Sequence, residues 1–307
     1  MRDAIGPLLV KLGRERSDFF VVDADNGPAT RIRPFGDAYA SRYVNVGCAE
    51  QNLLGVSAGL ALVGVPVIAA TFSVFLLGRA YDQIRNTITA SHLPVILLGT
   101  HSGLSTGADG GSHCCPEDLA LVRALPGMQI FIPACNDDLE PMFTFALNSA
   151  GPTYIRVPRG ALWNSQPTRV PDLDLNKAAL RCWQSGTDMA FVCTGLMLPR
   201  VLAAAKELSE KGISAAVYDA PFVDLDAPST IATLRQFRGV VTVEDHWPAG
   251  GISEMIATML VGVAKLTFVA VTAADRFPSS GQVEEVLDDM GLSLQSIKDA
   301  AVKSLEK

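Results

Sequence analysis

Charge is scarce in this chain. Only 19% of its 307 residues are Asp, Glu, Lys or Arg, and acids outnumber bases for a formal net charge of −7. Nucleic acid and anionic membranes demand clustered Lys and Arg, so neither is expected as the main partner. An anionic substrate stays possible, because it answers to the local field. Aromatic residues are few, at 7%. The longest apolar run, around Leu53 to Phe75, is broken by Ser, Gly, Pro and Thr, so no segment reads as membrane-spanning. The first twenty residues carry charge at positions 2 and 3 and no long apolar centre, unlike a secretory signal. The six cysteines (Cys48, Cys114, Cys115, Cys135, Cys182, Cys193) form no CxxC pair and no disulfide framework. Reduced thiols in a cytoplasmic protein are expected. Cys114–Cys115 has only His113 as a near metal-type neighbour, which falls short of a zinc set.

What the chain does have is apolar residues, 49% of the total, in a sequence long enough for two domains. Short β-branched runs at 19–22, 43–46, 65–70, 94–99, 128–133 and 153–157 alternate with helical stretches at 49–63, 76–91, 116–124 and 136–149. A second alternation places strands at 189–195, 214–220, 239–245 and 265–271, and helices at 198–212, 251–262 and 279–291. The last helix is expected to start at Ser280 as N-cap and stop at Gly291. Continuous apolar strands separated by helices predict an α/β fold with mostly parallel sheets covered on both faces. The expected organisation is two doubly wound domains, 1–163 and 185–307, joined by a Pro-bearing linker over 164–184. No repeat of solenoid period is present.

One carboxylate stands out. Glu50 falls where the strand 43–46 turns into a helix of small residues, and Phe72 and Phe75 follow the strand 65–70. A carboxylate at a buried turn costs several kcal/mol without a partner. As an ordinary feature, Glu50 is a helix N-terminal acid and the two rings are core aromatics. As a functional one, carboxylate and rings together suit a flat heterocycle with a ring nitrogen, of which thiamine diphosphate is one.

The blocks YVNVGCAEQNLLGVSAGLALVGVPVIAATFSVFLLGRAYDQIR, THSGLSTGADGGSHCCPEDLALVRALPGMQIFIPA and PTYIRVPRG resemble, in order and spacing, the pyrimidine-binding domain of transketolase-like enzymes. This resemblance covers most of residues 1–160. A weaker one runs through VEDHWPAGGISEMIA. The resemblance implies that Glu50 hydrogen-bonds a ring nitrogen of the cofactor's aminopyrimidine, favouring the imino form that takes the proton from the thiazolium carbon. That role calls for an apolar setting, which Leu53 and its Gly- and Ala-rich helix supply. Phe72 and Phe75 would pack on the same ring. The family's third aromatic falls near Gly78 and is missing, which leaves the platform smaller or completed by another subunit. His101, Asp109 and His113 would contact the hydroxyl and carbonyl oxygens of a sugar phosphate, with the histidines moving protons. The usual GPTHQ loop is here GGSHCC, Gly110 to Cys115. Arg2 and Arg159 would clamp the phosphate. A family serine for that phosphate corresponds to about Ala29, with Thr30 as its substitute. Asp25 would lie near the cofactor at a subunit contact.

No metal ligand is assigned. Ala108-Asp109-Gly110 followed by Asn136 imitates a GDG…N signature for magnesium and diphosphate, but Asp109 belongs to the histidine loop and the first glycine is alanine. The Mg2+–diphosphate half is therefore expected on a separate N-terminal subunit, in a two-plus-two heterotetramer. The reading is the C-terminal subunit of a split transketolase, which moves a two-carbon ketol unit from a ketose phosphate to an aldose acceptor. Its rivals are the β subunit of a 2-oxo acid dehydrogenase, a deoxyxylulose-phosphate synthase and a non-catalytic scaffold subunit. Glu244, Asp245 and His246, just past a strand, are expected to cap a helix or form an interface, and the C-terminal domain to fix assembly.

Overall fold

The computed structural model describes residues 1–160, 169–263 and 266–306. The start of the expected linker (164–168) and of the strand expected from 265 lies outside the described residues. Six strands make the first sheet: β1 (Phe20–Asp23), β2 (Tyr43–Asn45), β3 (Val67–Phe72), β4 (Val95–Thr100), β5 (Gln129–Phe131) and β6 (Thr153–Val157). They lie in the order β2-β1-β3-β4-β6-β5, and every pairing is parallel. The two central strands β3 and β4 are buried at every residue, which explains why their sequences do not alternate. Each wholly buried Val, Leu or Ile there contributes about 1.5–3 kcal/mol.

The second sheet holds β7 (Arg181–Gln184), β8 (Met189–Cys193), β9 (Ala215–Asp219), β10 (Gly239–Val243) and β11 (Thr267–Val271), in the order β11-β10-β8-β9-β7. All its pairings are parallel except β7 with β9. Both sheets are thus mostly parallel and wound with helices, as the alternation predicts. Residues 181–184, read as the end of the linker, are instead an antiparallel edge strand. Arg181 anchors it, buried between Asp138 and Asp219.

Two helices differ from expectation. The stretch read as one helix over 76–91 starts earlier and is divided into Ser73–Arg79, Tyr81–Gln83 and a π-turn over Ile84–Thr89. The helix read from Ser280 begins at Val283, with Gln282 as N-cap and Glu285 completing the capping box. Gly291 does lie at φ +86°, where the helix stops.

One apolar cluster draws residues from both domains. The segment Pro221–Val223 runs antiparallel along β5, with Ile132 N–H donating to Pro221 O and Val223 N–H to Ile130 O. This contact covers the outer edge of the first sheet. Phe72, Thr100 and Val157 end β3, β4 and β6, so the residues that follow gather at one carboxyl rim.

Candidate active site

Glu50 opens the helix Glu50–Leu62 and is 5% exposed. It has a polar partner that sequence reading missed: Arg79 Nη1 donates to Glu50 Oε1 at 3.1 Å. The same guanidinium lies over the Phe75 ring, 4.3 Å from its centre. The turn Cys48–Asn52 and Arg79 line a cavity of about 480 Å³. Glu50 is buried against a mostly exposed cation, an arrangement that can open toward a ligand.

The two phenylalanines are not separate core residues. Phe72 and Phe75 stack at 5.6 Å and 11°. His101 stacks on Phe72 at 3.7 Å, and His113 meets Phe75 edge-on at 5.2 Å. The structure therefore brings Glu50, Phe72, Phe75, His101 and His113 into one cluster, with Arg79 closing it.

His101 follows β4 in a left-handed conformation (φ +57°), uncommon for a side chain of this size. Arg2 Nη1 donates to its Nε2 at 3.1 Å. Arginine has no acceptor, so Nε2 must be unprotonated and Nδ1 carries the hydrogen. Nδ1–H then donates to Thr100 Oγ1 at 3.0 Å. Burial, with help from the cations Arg2 and Arg159, pushes the His101 pKa down to about 3. His101 is thus a neutral imidazole of fixed tautomer. His113 is half-buried and shares a hydrogen bond with Ser112 Oγ at 2.9 Å.

The Arg2 side chain is largely covered, and its Nε is buried without a partner. The Met1 amine donates to Gly160 O at 3.0 Å, which holds this end of the chain beside the strand-end loop of Arg159. Arg159 Nη1 donates to Thr106 O at 2.7 Å and to Asp109 Oδ2 at 3.0 Å. Both Arg159 and Asp109 stay partly open to solvent. Asp25 sits in a left-handed turn, accepts from Asn45 Nδ2 at 2.9 Å and faces the Cys48 thiol. That places it beside the turn leading to Glu50.

One smaller reading changes, that of Thr30. Thr30 is fully buried and its hydroxyl donates to Asn26 O at 2.9 Å, so it does not serve as the missing phosphate hydroxyl. Asp109 is paired with Arg159, whereas Asn136 lines a separate cavity with Ala4, Lys11 and Glu140. Cys114 and Cys115 are buried, and burial pushes both thiols up, which keeps them protonated.

Residues 1–163 match the family profile described as transketolase, pyrimidine binding domain, and residues 177–297 match transketolase, C-terminal domain. The chain belongs to the transketolase family. A Methanocaldococcus jannaschii protein with the provisional name "transketolase C-terminal section" is 32% identical over 100% of this chain and 96% of its own length. The 1-deoxy-D-xylulose-5-phosphate synthase of Carboxydothermus hydrogenoformans is 32% identical over 96% of this chain but 47% of its own. Among solved structures, "Split gene transketolase, inactive beta4 tetramer" superposes with a TM-score of 0.85 at 35% identity, over 99% of this chain and 97% of that one. The chain spans 96–97% of the first and last of these relatives but about half of the synthase.

In this chain the residues past β10 join the two domains. Glu244 accepts from Ile252 N–H and Ser253 N–H, both at 2.8 Å, and so caps the helix Ile252–Met259. Asp245 pairs with Arg156 at 2.8 Å. His246 Nε2 accepts from Ala120 N–H at 3.2 Å, while Nδ1–H donates to Trp247 O at 2.7 Å. Within the chain, Glu244 caps a helix while Asp245 and His246 hold the first domain. Arg156 and Arg79 escaped sequence reading because the carboxylates they pair with lie far away in the chain.

Proposed function

We propose that this chain is the pyrimidine-binding and C-terminal subunit of a two-chain, thiamine-diphosphate-dependent transketolase. It carries a two-carbon ketol unit from a ketose phosphate to an aldose acceptor together with a separate diphosphate-binding subunit. The observation that carries this is the single cluster of Glu50, Phe72, Phe75, His101 and His113 at the carboxyl rim of a parallel sheet. A buried carboxylate with one displaceable partner, beside stacked rings, fits the aminopyrimidine half of the cofactor. When bound, the cofactor supplies the carbanion chemistry that cleaves and remakes the C–C bond.

The chain's own residues do the rest. Glu50 holds a proton at the ring nitrogen. Phe72 and Phe75 orient the ring and exclude water from it. Neutral His101, with Nε2 as acceptor, takes a hydrogen bond from a substrate hydroxyl once Arg2 turns to the phosphate. His113, more open, moves the hydroxyl proton. Arg2, with a buried Nε lacking a partner, and Arg159 hold the phosphate, and Asp109 orients Arg159. The diphosphate and Mg2+ belong to the partner subunit, in a two-plus-two assembly, and a cytoplasmic setting suits six free thiols. The split-gene relative described as an inactive β4 tetramer supports a need for the second chain.

A second reading follows from the synthase relatives, which match at 30–32% identity over about half their length. Their name predicts a 1-deoxy product, whose two-carbon unit lacks the hydroxyl of a ketol, and a 2-oxo acid is a donor class that supplies such a unit. The test is calorimetric titration of thiamine diphosphate and Mg2+ into the lone chain, then into its mixture with the diphosphate-binding chain, followed by donor assays. Tight binding and ketose-phosphate turnover in the mixture alone are expected. Turnover only with a 2-oxo acid overturns the donor assignment, and tight binding by the lone chain overturns the shared site.

A further inference from the structure

Arg156 on β6 is 2% exposed and forms ion pairs with two carboxylates. Its Nε donates to Asp118 Oδ2 at 2.7 Å, and its Nη1 to Asp245 Oδ1 at 2.8 Å. Asp118 and Asp245 are themselves buried. Asp118 comes from the first domain and Asp245 from the second, so the guanidinium bridges the two. One cation facing two carboxylates in the interior is a costly arrangement to assemble unless further donors share the load. Those donors are present, and they lead in two directions.

Toward the rings, Tyr154 is fully buried and its hydroxyl donates to Asp118 Oδ2 at 3.0 Å. Because that hydrogen is used, Ser73 Oγ donates to Tyr154 at 2.9 Å. Ser73 stands between Phe72 and Phe75 and starts the helix that also bears Arg79. Toward the histidines, Leu104 N–H approaches Asp245 Oδ2 at 3.4 Å. Gly103 lies so close that an added Cβ would fall 1.9 Å from Asp245 Oδ2 and 2.4 Å from Arg156 Nη2. Gly103 bridges Cys115, whose N–H donates to Gly103 O at 2.9 Å. This contact closes the loop that presents His101 at one end and His113 near the other. Behind Asp245, Thr194 of the second domain donates to Oδ1 at 3.2 Å.

We infer that Asp245, acting through Arg156, is a positioning residue by which the C-terminal domain sets both the aromatic platform and the histidine loop. The inference rests on the function proposed above but reaches beyond it: it gives the second domain a part in shaping the site. The carboxylate touches no reacting atom. It fixes the loop backbone from below and, through Arg156, Asp118 and Tyr154, the start of the ring-bearing helix. A continuous set of buried, fully engaged polar groups is the kind of element that transmits position rather than absorbing it.

Glu244 supplies the control. It neighbours Asp245, is equally buried, and its bonds go to Ile252 and Ser253 inside the second domain. A merely structural role predicts the same consequences for the two substitutions Asp245→Asn and Glu244→Gln. Asp245→Asn leaves Arg156 paired with Asp118, so no buried charge is stranded. Hydrogen exchange of this 307-residue chain alone reads the effect without cofactor or partner. Asp245→Asn is expected to speed exchange of amides in 101–115 and 72–80 by about tenfold or more, while Glu244→Gln confines its changes to 244–259. In the complex with the diphosphate-binding chain, Asp245→Asn is expected to lower kcat about 10–100-fold with KM little changed, as misplaced reacting groups do.

Unchanged protection of both segments in Asp245→Asn overturns the inference, and so does equal loosening by Glu244→Gln. If Asp245→Asn fails to fold, Thr194→Val removes one bond to the same carboxylate and the same comparison applies. Absence of ketol transfer by the unaltered complex would count against the proposed function alone, because the exchange experiment still decides the positioning role.

Discussion

The Arg79 guanidinium lies 4.3 Å from the centre of the Phe75 ring while its Nη1 donates to Glu50 Oε1 at 3.1 Å. It engages the same carboxylate and the same ring that the proposed cofactor would use. With His101 on Phe72 and Phe72 on Phe75, the stack reads His101, Phe72, Phe75, Arg79. A flat heterocycle has to displace Arg79 before it can lie on Phe75. Arg79 is mostly exposed, so its ion pair contributes about 0.2–1 kcal/mol and the ring contact about 0.5–1 kcal/mol. Arg79→Ala is therefore expected to tighten thiamine diphosphate binding to the mixed complex roughly three- to tenfold, read by calorimetry. Weaker binding would show that the guanidinium stays in place as part of the platform.

The His101 pKa, pushed down to about 3, predicts a pH dependence of stability. The unfolded chain takes up a proton on this histidine near pH 6.5, whereas the folded chain resists until about pH 3. Between those values the unfolded state binds more protons, so stability falls as pH drops through the window and is recovered above pH 6.5. The slope from this one group is at most about 1.4 kcal/mol per pH unit. Denaturant midpoints at pH 7.5 and 4.5 should separate more for the unaltered chain than for His101→Asn. Equal separation would mean that His101 is not the group responsible.

Legibility in the sequence followed burial. The strands β3 and β4 are covered on both faces, so their runs of Val, Ile, Ala and Leu announced a parallel sheet. Glu50, Phe72 and Phe75 were singled out by the resemblance of their blocks to the family, since the residues alone fit a helix N-terminal acid and core aromatics equally well. The edge strand Arg181–Gln184 was not legible: it opens with a charged residue whose burial depends on Asp138 and Asp219, far away in the chain. The helix start was misplaced because Ser280 is a good N-cap by type, but the backbone turns helical only at Val283, and Ser280 packs against Gly110 instead. Arg79 carried no local signal, and Arg156, inside the strand run 153–157, signalled burial but not its partners. Their importance comes from tertiary partners, which composition and periodicity do not record.

Arg159 and Asp109 predict a separation of binding from turnover. Arg159 is held by Thr106 O and Asp109, so it presents its charge in one orientation while remaining partly open. Charge-assisted bonds to phosphate form in the bound ground state as well as in the transition state. Arg159→Gln should raise KM for a phosphorylated ketose about 10–100-fold with kcat within a few-fold. The unphosphorylated ketose should be affected far less. A similar loss with both donors would assign Arg159 to the architecture of the loop rather than to the phosphate.

Gly103 predicts a stability effect whose cause can be isolated. Its φ of +55° is strained for any side chain, and an added Cβ would overlap Asp245 and Arg156. Gly212 has a comparable φ of +81° but nothing within 4 Å of an added Cβ. Gly212→Ala should therefore cost only the backbone strain, about 1–2 kcal/mol. Gly103→Ala must also part a buried ion pair, a loss of roughly 3–5 kcal/mol in comparable cases. Urea unfolding of both variants measures the difference directly. A gap of several kcal/mol identifies close packing of the loop on the Asp245–Arg156 pair as its source. Equal losses would mean that the loop can lift off the pair at little cost, so that the pair does not fix the loop's position.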